Sequence, residues 1–460
     1  MNFKKYMLIG GCFLLGIVGC NDKKNNPSNT INSSQSEKNR PMEFASDEAF
    51  LDFIQKAHFN YMWEGAEENS GLACERIHID GNYPMSDQHI ITTGGSGFGI
   101  AGLVVGMERG FITREDGLKR LTKIVSFLEK ADRFHGVWSH WIDGRTGKTK
   151  PFGTKDNGGD LVESAFLIQG LLCVRQYFKD GNEPEKQLAH RIDKLWREMN
   201  WTWYLNGKDV LYWHWSPQYE WQMNFPLEGY NECLITYILA ASSPTHSIPA
   251  SAYHNGWARG GSIKTDKTAY NLPLILKHNG AENYGGPLFW AHYSYIGLNP
   301  KGLTDDYANY WELNKNHSLI NYNYCVENPK GYKGYGKNCW GLTASYSVDG
   351  YAGHTPMTND KAVITPTAAL SSFPYTPNES MSALKHFYFG LGDKIWGKYG
   401  FYDAFSEQHN WYPQRYLAID QLTIAPMIEN YRTGLLWKLF MSCPEVQEGL
   451  KKLGFRVSSI

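Results

Sequence analysis

The sequence predicts an all-α protein, and three observations support this fold class. About a dozen segments after residue 45 repeat apolar residues at helical spacing, whereas the alternation typical of strands is scarce. The connecting loops are long and rich in Gly, Trp, Tyr and Asn, and no Pro-, Gly- or Ser-rich linker divides them. Because antiparallel helix pairs can close into a double ring, we predict one (α/α)6 toroid over residues 46–460, with long aromatic-rich loops. An α-solenoid is disfavoured because the sequence lacks an internal repeat.

The first 45 residues read as a targeting segment followed by a tether. Lys4 and Lys5 precede the apolar stretch 6–18, and the run Ile17-Val18-Gly19-Cys20 ends it like a bacterial lipobox. Residues 1–20 are therefore predicted to be a lipoprotein signal peptide with lipid on Cys20; the alternative is an ordinary signal peptide. Residues 21–45, rich in Asn, Ser, Lys and Pro, form a predicted flexible tether. We expect a membrane-anchored lipoprotein on the periplasmic or cell-surface face of a bacterial outer membrane.

Helix boundaries follow from apolar spacing and capping residues. Ser46 or Asp47 and Thr113 are suitable N-caps, and the small residues after Gly97 allow a neighbouring helix to approach closely. Short hairpins are expected at 136–142 and 209–215. The predicted helices are 46–63, 97–109, 114–131, 160–178, 185–199, 231–241, 304–324, 337–345, 362–370, 380–390, 414–432, 433–441 and 444–453.

Charge and cysteine usage exclude several functions. The formal net charge is −1 and the pI is about 6.9, so no nucleic-acid partner is expected. The sequence contains no C-x-x-C and no H-E-x-x-H, so a zinc site has no support. No metal or organic cofactor is expected, because the chemistry predicted below needs none. Cys173 and Cys233 lie in apolar helical runs and should be buried thiols, whereas Cys325 and Cys339 are the one pair in loop-like sequence that suggests a disulfide.

An acidic segment opens the apolar helix predicted at 160–178. Asp160 and Glu163 have the spacing of a helix capping box, and the helix dipole also favours acids at this position. Asp156 lies beyond the Gly158-Gly159 pair, where no capping function requires it. The segment can therefore be a helix start, a catalytic cluster, or both.

Aromatic loops place further acids beside flat rings. Trp, Tyr and Phe make up 15 % of the chain, and three loops, 134–141, 212–232 and 400–412, combine rings with carboxylates near helix starts. Glycosidic bond cleavage needs one carboxylic acid, one carboxylate and flat surfaces that hold sugar rings. Glu232 is the candidate acid from the second loop. The candidate substrate-binding residues, each of which has a packing or capping alternative, are Trp138, Trp141, Trp213, His214, Trp215, Tyr402, Asp403 and Glu407.

Three motifs together resemble a known family. They are Asp156-Asn-Gly-Gly-Asp160-Leu-Val-Glu163-Ser-Ala-Phe, Asn231-Glu232, and Ala418-Ile-Asp420-Gln followed by Ile428-Glu-Asn-Tyr-Arg-Thr-Gly-Leu-Leu-Trp437. In this order they resemble the bacterial glucoamylase-like domain, and more narrowly glycoside hydrolase family 144, over residues 46–455. The resemblance implies an (α/α)6 barrel and hydrolysis of β-1,2-glucan with inversion of the anomeric centre. It also implies that activity depends on the acids at Asp156, Asp160, Glu163 and Glu232.

We therefore predict a hydrolase of β-1,2-glucan or its oligosaccharides, with endo or exo action left open. Glu232 is the expected general acid, and the cluster of Asp156, Asp160 and Glu163 is expected to activate water, with Asp160 the first choice as base. Two alternatives remain: a non-catalytic glycan-binding lipoprotein that uses the same rings, and a hydrolase of another glucan linkage.

Overall fold

The computed structural model describes residues 42–83 and 85–458, so Cys20, the signal peptide and most of the tether lie outside the described residues. Within these ranges the chain is rich in helices, which confirms the helical class of the prediction. The α-helices are α1 Asp47–Trp63, α2 Thr93–Glu108, α3 Arg114–Leu128, α4 Leu161–Phe178, α5 Glu183–Arg197, α6 Leu234–Ser242, α7 Tyr310–Glu327, α8 Pro366–Leu370, α9 Pro377–Lys385, α10 Gly392–Ile395, α11 Ala418–Gln421, α12 Ile424–Arg432, α13 Leu435–Met441 and α14 Pro444–Lys452. No helix in the described ranges combines the length and apolarity that a membrane span requires.

Short strands and irregular helices fill the loops. The strands are β1 Arg76–His78, β2 Ile90–Thr92, β3 Arg133–Phe134, β4 Val137–Trp138, β5 Trp141–Asp143, β6 Thr149–Lys150, β7 Gly159–Asp160, β8 His214–Trp215, β9 Thr268–Ala269, β10 Leu272–Pro273, β11 Leu303–Thr304, β12 Ala344–Ser347, β13 Gly350–Gly353, β14 Trp396–Gly397, β15 Gly400–Phe401, β16 Arg415–Leu417 and β17 Arg456–Val457. Most pair in twos, and β2, β5 and β6 form a three-stranded sheet. Two segments, Ala252–Trp257 and His386–Gly390, are π-helical.

Two long helices with small residues form the centre of the fold. α2 packs against α4 more extensively than any other described pair of helices, because glycines face each other across the contact. A Cβ atom on Gly170 would lie 2.0 Å from the carbonyl oxygen of Gly97, and one on Gly97 would lie 2.2 Å from the carbonyl oxygen of Phe166. This confirms the predicted close approach at Gly97 and aligns the N-terminal ends of both helices.

Capping residues set several boundaries as predicted. The side chains of Ser46, Thr113 and Asp160 accept hydrogen bonds from the first turns of α1, α3 and α4. α7 begins at Tyr310 rather than 304, because the side chain of Asn309 caps the helix by accepting hydrogen bonds from the backbone N–H groups of Trp311 and Glu312.

Other predicted elements were wrong. The helix predicted at 337–345 is a loop leading into β12, since Gly341 has a φ of +129°, a value that no α-helix contains. The helix predicted at 414–432 is interrupted, because Arg415–Leu417 pairs with β1 as a strand before α11 starts. The expected disulfide is also absent: the six cysteines of the described chain, Cys325 and Cys339 among them, are buried free thiols.

Candidate active site

The site forms where α4 begins, and a strand pair far apart in sequence builds it. β7 pairs with β8 so that Asp160 lies opposite His214 and Gly159 lies opposite Trp215. The N–H of Leu161 also donates to the carbonyl oxygen of Trp213 at 2.9 Å. The predicted hairpin at 209–215 is therefore wrong at its second half, since β8 pairs with the acidic segment instead of folding on itself.

Asp160 caps α4 and has no exposed surface. Its Oδ1 accepts the N–H of Glu163 at 2.9 Å, and its Oδ2 lies 3.0 Å from Nδ1 of His140. The capping function predicted for Asp160 is confirmed, and the second oxygen is held by the imidazole. Both oxygens of this carboxylate are thus engaged by protein donors.

Glu163 lies in the first turn of α4 and is hydrogen-bonded to the first turn of α2. Its Oε2 accepts the N–H of Gly94, in the first turn of α2, at 2.7 Å, instead of reaching back to the cap of α4. A Cβ on Gly94 would lie 2.2 Å from the same oxygen, so only glycine fits there. Burial raises the pKa of Glu163 to about 8, although the charge of His140 and the Gly94 hydrogen bond lower it.

Asp156 lies beside this pair with an oxygen that has no donor. Its Oδ1 is buried, has no hydrogen-bond partner among the described residues, and lies 3.5 Å from Nε2 of His214. That nitrogen already accepts the N–H of Gly158 at 3.0 Å, so the proton of the neutral His214 ring is on Nδ1. Burial and the charge of Asp160 raise the pKa of Asp156 to about 7.

His140 supplies the positive charge of the cluster. Its ring stacks on Phe152 at 4.1 Å, and its donor atom lies within 4.8 Å of carboxylate oxygens of both Asp156 and Asp160. Burial lowers the pKa of His140, but the charges of Glu163 and Asp160 outweigh burial and raise it to about 10. His140, Asp156 and Asp160 also have the spacing of metal ligands. The positively charged ring of His140, however, already balances the negative charge of the two carboxylates. His140 lies in the aromatic loop 134–141, and nothing in the sequence assigned it a catalytic function.

Glu232 lies in the segment just before another helix, α6. It lies one residue before Cys233, the N-cap of α6, and its backbone carbonyl accepts the Ser294 hydroxyl at 2.5 Å. The observed helix α6 thus begins three residues later than the helix predicted at 231–241, and Glu232 lies before its start. Burial raises the pKa of Glu232 to about 7, and the negative charge of Asp160 contributes to that rise. The four acids predicted from the sequence therefore share one electrostatic environment.

A second carboxyl pair borders the first cluster. The carboxyl groups of Asp403 and Asp420 interact with each other, and each has a buried oxygen without a hydrogen-bond partner among the described residues. Burial raises both pKa values, that of Asp403 to about 6. The Tyr293 hydroxyl donates to Asp420 at 3.0 Å, and the N–H of Tyr346 donates to Asp403 at 2.8 Å. Glu75, whose pKa is also raised by burial, interacts with this pair and with Glu163. Asp420 lay inside the third sequence motif, whereas nothing in the sequence indicated Glu75.

Most of the five aromatic residues predicted to contact sugar are buried. Trp138 has no exposed surface and its indole N–H donates to the carbonyl oxygen of Leu128 at 3.1 Å, so the sugar-contact prediction for Trp138 is wrong and its function is packing. Trp141, Trp213 and Tyr402 are 5–7 % exposed. Among these five predicted rings only Trp215 is partly exposed.

Trp215 belongs to a cluster of rings beside the acids. It lies 4.7 Å from His135 and 5.6 Å from Trp203, measured between ring centroids, and Trp203 is 38 % exposed. Glu407, by contrast, lies with Cys339 and His386, a group that contains none of the four catalytic candidates.

Near-neutral carboxyl groups at and before the starts of two helices, α4 and α6, are the chemical groups that a glycoside hydrolase needs. Comparisons with known proteins give the family. Residues 224–444 match a family model described as "Putative glucoamylase". The endo-β-1,2-glucanase from Chitinophaga pinensis, solved with sophorotriose and glucose, is 65 % identical, with a TM-score of 0.89 over 90 % of this chain and 99 % of that one. This chain therefore belongs to the glucoamylase-like family that contains β-1,2-glucan hydrolases.

Two further relatives resemble this chain, one in sequence over part of the relative's length and one in fold. An exo β-1,2-glucooligosaccharide sophorohydrolase (non-reducing end) from Parabacteroides distasonis is 49 % identical over 89 % of this chain, which spans 58 % of that relative's length. An endo-β-1,2-glucanase from Talaromyces funiculosus is 11 % identical with a TM-score of 0.66 over 89 % of each chain, so it supports the fold alone.

Proposed function

We propose that this protein hydrolyses β-1,2-glucan or β-1,2-glucooligosaccharides with inversion of the anomeric centre, and that it falls within glycoside hydrolase family 144. The observation that carries the proposal is that buried Glu232 interacts electrostatically with Asp160 of the acid cluster, while Glu232, Asp156 and Glu163 have pKa values near those needed for proton exchange in neutral solution. The names of the Chitinophaga and Parabacteroides relatives support the linkage.

Glu232 serves as the general acid in this proposal. With a pKa of about 7 it keeps a proton for the leaving glycosidic oxygen at neutral pH. As the C–O bond breaks, that proton passes to the leaving sugar and Glu232 becomes a carboxylate. Water attacks the anomeric carbon from the opposite face and gives up a proton to the base.

The hydrogen bonds of the cluster favour Asp156 as this base over Asp160, the first choice from sequence. Asp160 has no exposed surface, and each of its oxygens already interacts with one protein donor, which makes it a poorer base than Asp156. Asp156 has an oxygen without a donor. Asp160 then acts as a positioning residue that holds His140, and Glu163 joins α2 to α4 beneath the site.

A parallel digestion of α- and β-linked glucans tests the activity, linkage and mode of cleavage together. Cleavage of β-1,2-glucan alone is expected, with products first released as the α-anomer, detected by NMR during the reaction. A ladder of products indicates endo action, and a single short product indicates exo action. Binding of β-1,2-glucan without any new reducing ends would favour a glycan-binding lipoprotein, and cleavage of an α-glucan would favour the other linkage.

The toroid and the anchor are also proposals. α2 contacts α4, α4 contacts α6, and α12 contacts both α2 and α8, a succession that suits an inner ring of helices. For the anchor, a Cys20→Ser variant is expected to lose lipid labelling and to leave the membrane fraction. Unchanged fractionation of that variant would refute lipidation as the means of attachment.

A further inference from the structure

Three side chains of different chemistry converge at a point outside the acid cluster. The thiol of Cys339, an imidazole nitrogen of His386 and a carboxylate oxygen of Glu407 lie within 4.8 Å of one another. They come from three separate segments: the loop before β12, the junction of α9 with the π-helix 386–390, and the loop after β15. We propose that these residues bind a divalent cation with affinity for sulfur and nitrogen ligands, of which Zn²⁺ is the type case.

The donor set and its spacing carry the proposal. Zn²⁺ binds Cys sulfur, His nitrogen and Glu oxygen at about 2.0–2.3 Å, so donors around one ion stand about 3–4 Å apart. A separation of no more than 4.8 Å therefore needs only small side-chain movements to close. Three protein ligands leave one position of a tetrahedron for water.

The state of the three groups also favours a ligand. Cys339 is only 3 % exposed and is a free thiol, and neither it nor the side chains of His386 and Glu407 form a hydrogen bond or ion pair with another residue of the described chain. His386 and Glu407 are partly exposed, which gives an ion a path from solvent. On binding, the thiol releases its proton to solvent and the thiolate sulfur donates to the metal.

The surrounding contacts show what the ion would join. The N–H of Lys333 donates to the Gln408 side chain at 2.9 Å, and a Cβ on Gly334 would lie 3.0 Å from Glu407. The segment 333–341 thus already packs against the loop that carries Asp403. A metal there would fasten these segments and the end of α9 to one another, and stabilise the loop without entering the catalytic reaction.

Cobalt binding to tag-free, metal-depleted protein tests the site directly. Titration with Co²⁺ is expected to produce a thiolate-to-cobalt charge-transfer band that saturates at one ion per chain and is displaced by Zn²⁺. The band should disappear in Cys339→Ser and weaken at least tenfold in apparent affinity in Glu407→Gln. His409→Gln, an exposed histidine on the same loop, is the matched control and should behave like the wild type.

Thermal unfolding gives a second readout that needs no activity. Zn²⁺ should raise the unfolding midpoint of the wild type and of His409→Gln, but not that of Cys339→Ser or His386→Gln, provided that these variants fold with an unchanged circular dichroism spectrum. Three results would overturn the proposal: no charge-transfer band, an adventitious ion only, whose binding persists in all variants, or a Cys325–Cys339 disulfide in the purified protein.

Discussion

Replacement of His140 by Gln should shift the pH dependence of activity, because this imidazolium holds the base in its ionised form. His140 lies within 4.8 Å of Asp156, and at an effective dielectric constant of about 20 a unit charge at that distance is worth about 3.5 kcal/mol. At about 1.36 kcal/mol per pKa unit this corresponds to about 2.5 units, of which we expect about two after water and side chains rearrange. The pKa of Asp156, about 7 in the wild type, would then reach about 9.

The consequence for catalysis follows from two ionisations. Activity requires ionised Asp156 and protonated Glu232, whose pKa is also about 7. With the pKa of the base two units higher, the active fraction at pH 7 falls roughly 50-fold, and the optimum moves from about pH 7 to about pH 8. Loss of packing alone would lower activity without moving the optimum.

The assay is kcat/KM on β-1,2-glucooligosaccharides from pH 5 to pH 10. His89→Gln is the matched control, because His89 also faces a carboxylate, Asp143 at 3.4 Å, but lies on the surface, and its profile should equal that of the wild type. An acidic limb that stays in place in His140→Gln would refute the assignment of His140 as the cation of the cluster.

Three further predictions concern the acids and the rings. Glu232→Gln should lower kcat by about 10²–10⁴-fold with the fold unchanged, measured as new reducing ends. Asp156→Asn should also lose activity, yet its unfolding free energy at pH 8 should be higher by up to about 4 kcal/mol. The reason is that a carboxyl whose pKa is raised from 3.8 to about 7 by folding destabilises the fold progressively as the pH rises through that range. The gain should vanish below about pH 4, and urea unfolding at pH 4 and pH 8 measures it. Trp215→Ala should raise KM with little loss of stability, whereas Trp138→Ala should cost about 3–5 kcal/mol of unfolding free energy.

Each of these predictions has an opposing outcome. Full turnover by Glu232→Gln would remove it as the acid. A stability gain for Asp156→Asn that is equal at pH 4 and pH 8 would mean that the charge on Asp156 is not the cause. Equal loss of stability in the two tryptophan variants would contradict the difference in burial between them.

The sequence alone determined the features that depend on neighbouring residues. Apolar spacing and caps such as Thr113 and Asp160 give helices wherever the first turn finds a side-chain acceptor, so the helix-rich class and several boundaries were correct. The acidic residues that open α4 were recognisable because Asp156, unlike its neighbours, had no capping function to explain it. Prediction failed at 337–345, where the positive φ of Gly341 overrides the apolar pattern.

Only the tertiary structure decided how the acids of the site are held. β8 comes 54 positions after β7, and nothing in either segment shows that His214 will lie opposite Asp160. The hydrogen bond from Gly94 to Glu163 depends on the close contact of α2 with α4, and the charge on His140 depends on carboxylates that burial brings together. The sequence also did not show which rings are exposed, since Trp138 and Trp215 have the same side chain but only Trp215 is partly exposed. Burial and long-range pairing depend on the whole chain, and for that reason a local pattern identifies which residues matter but not which of them reaches the substrate.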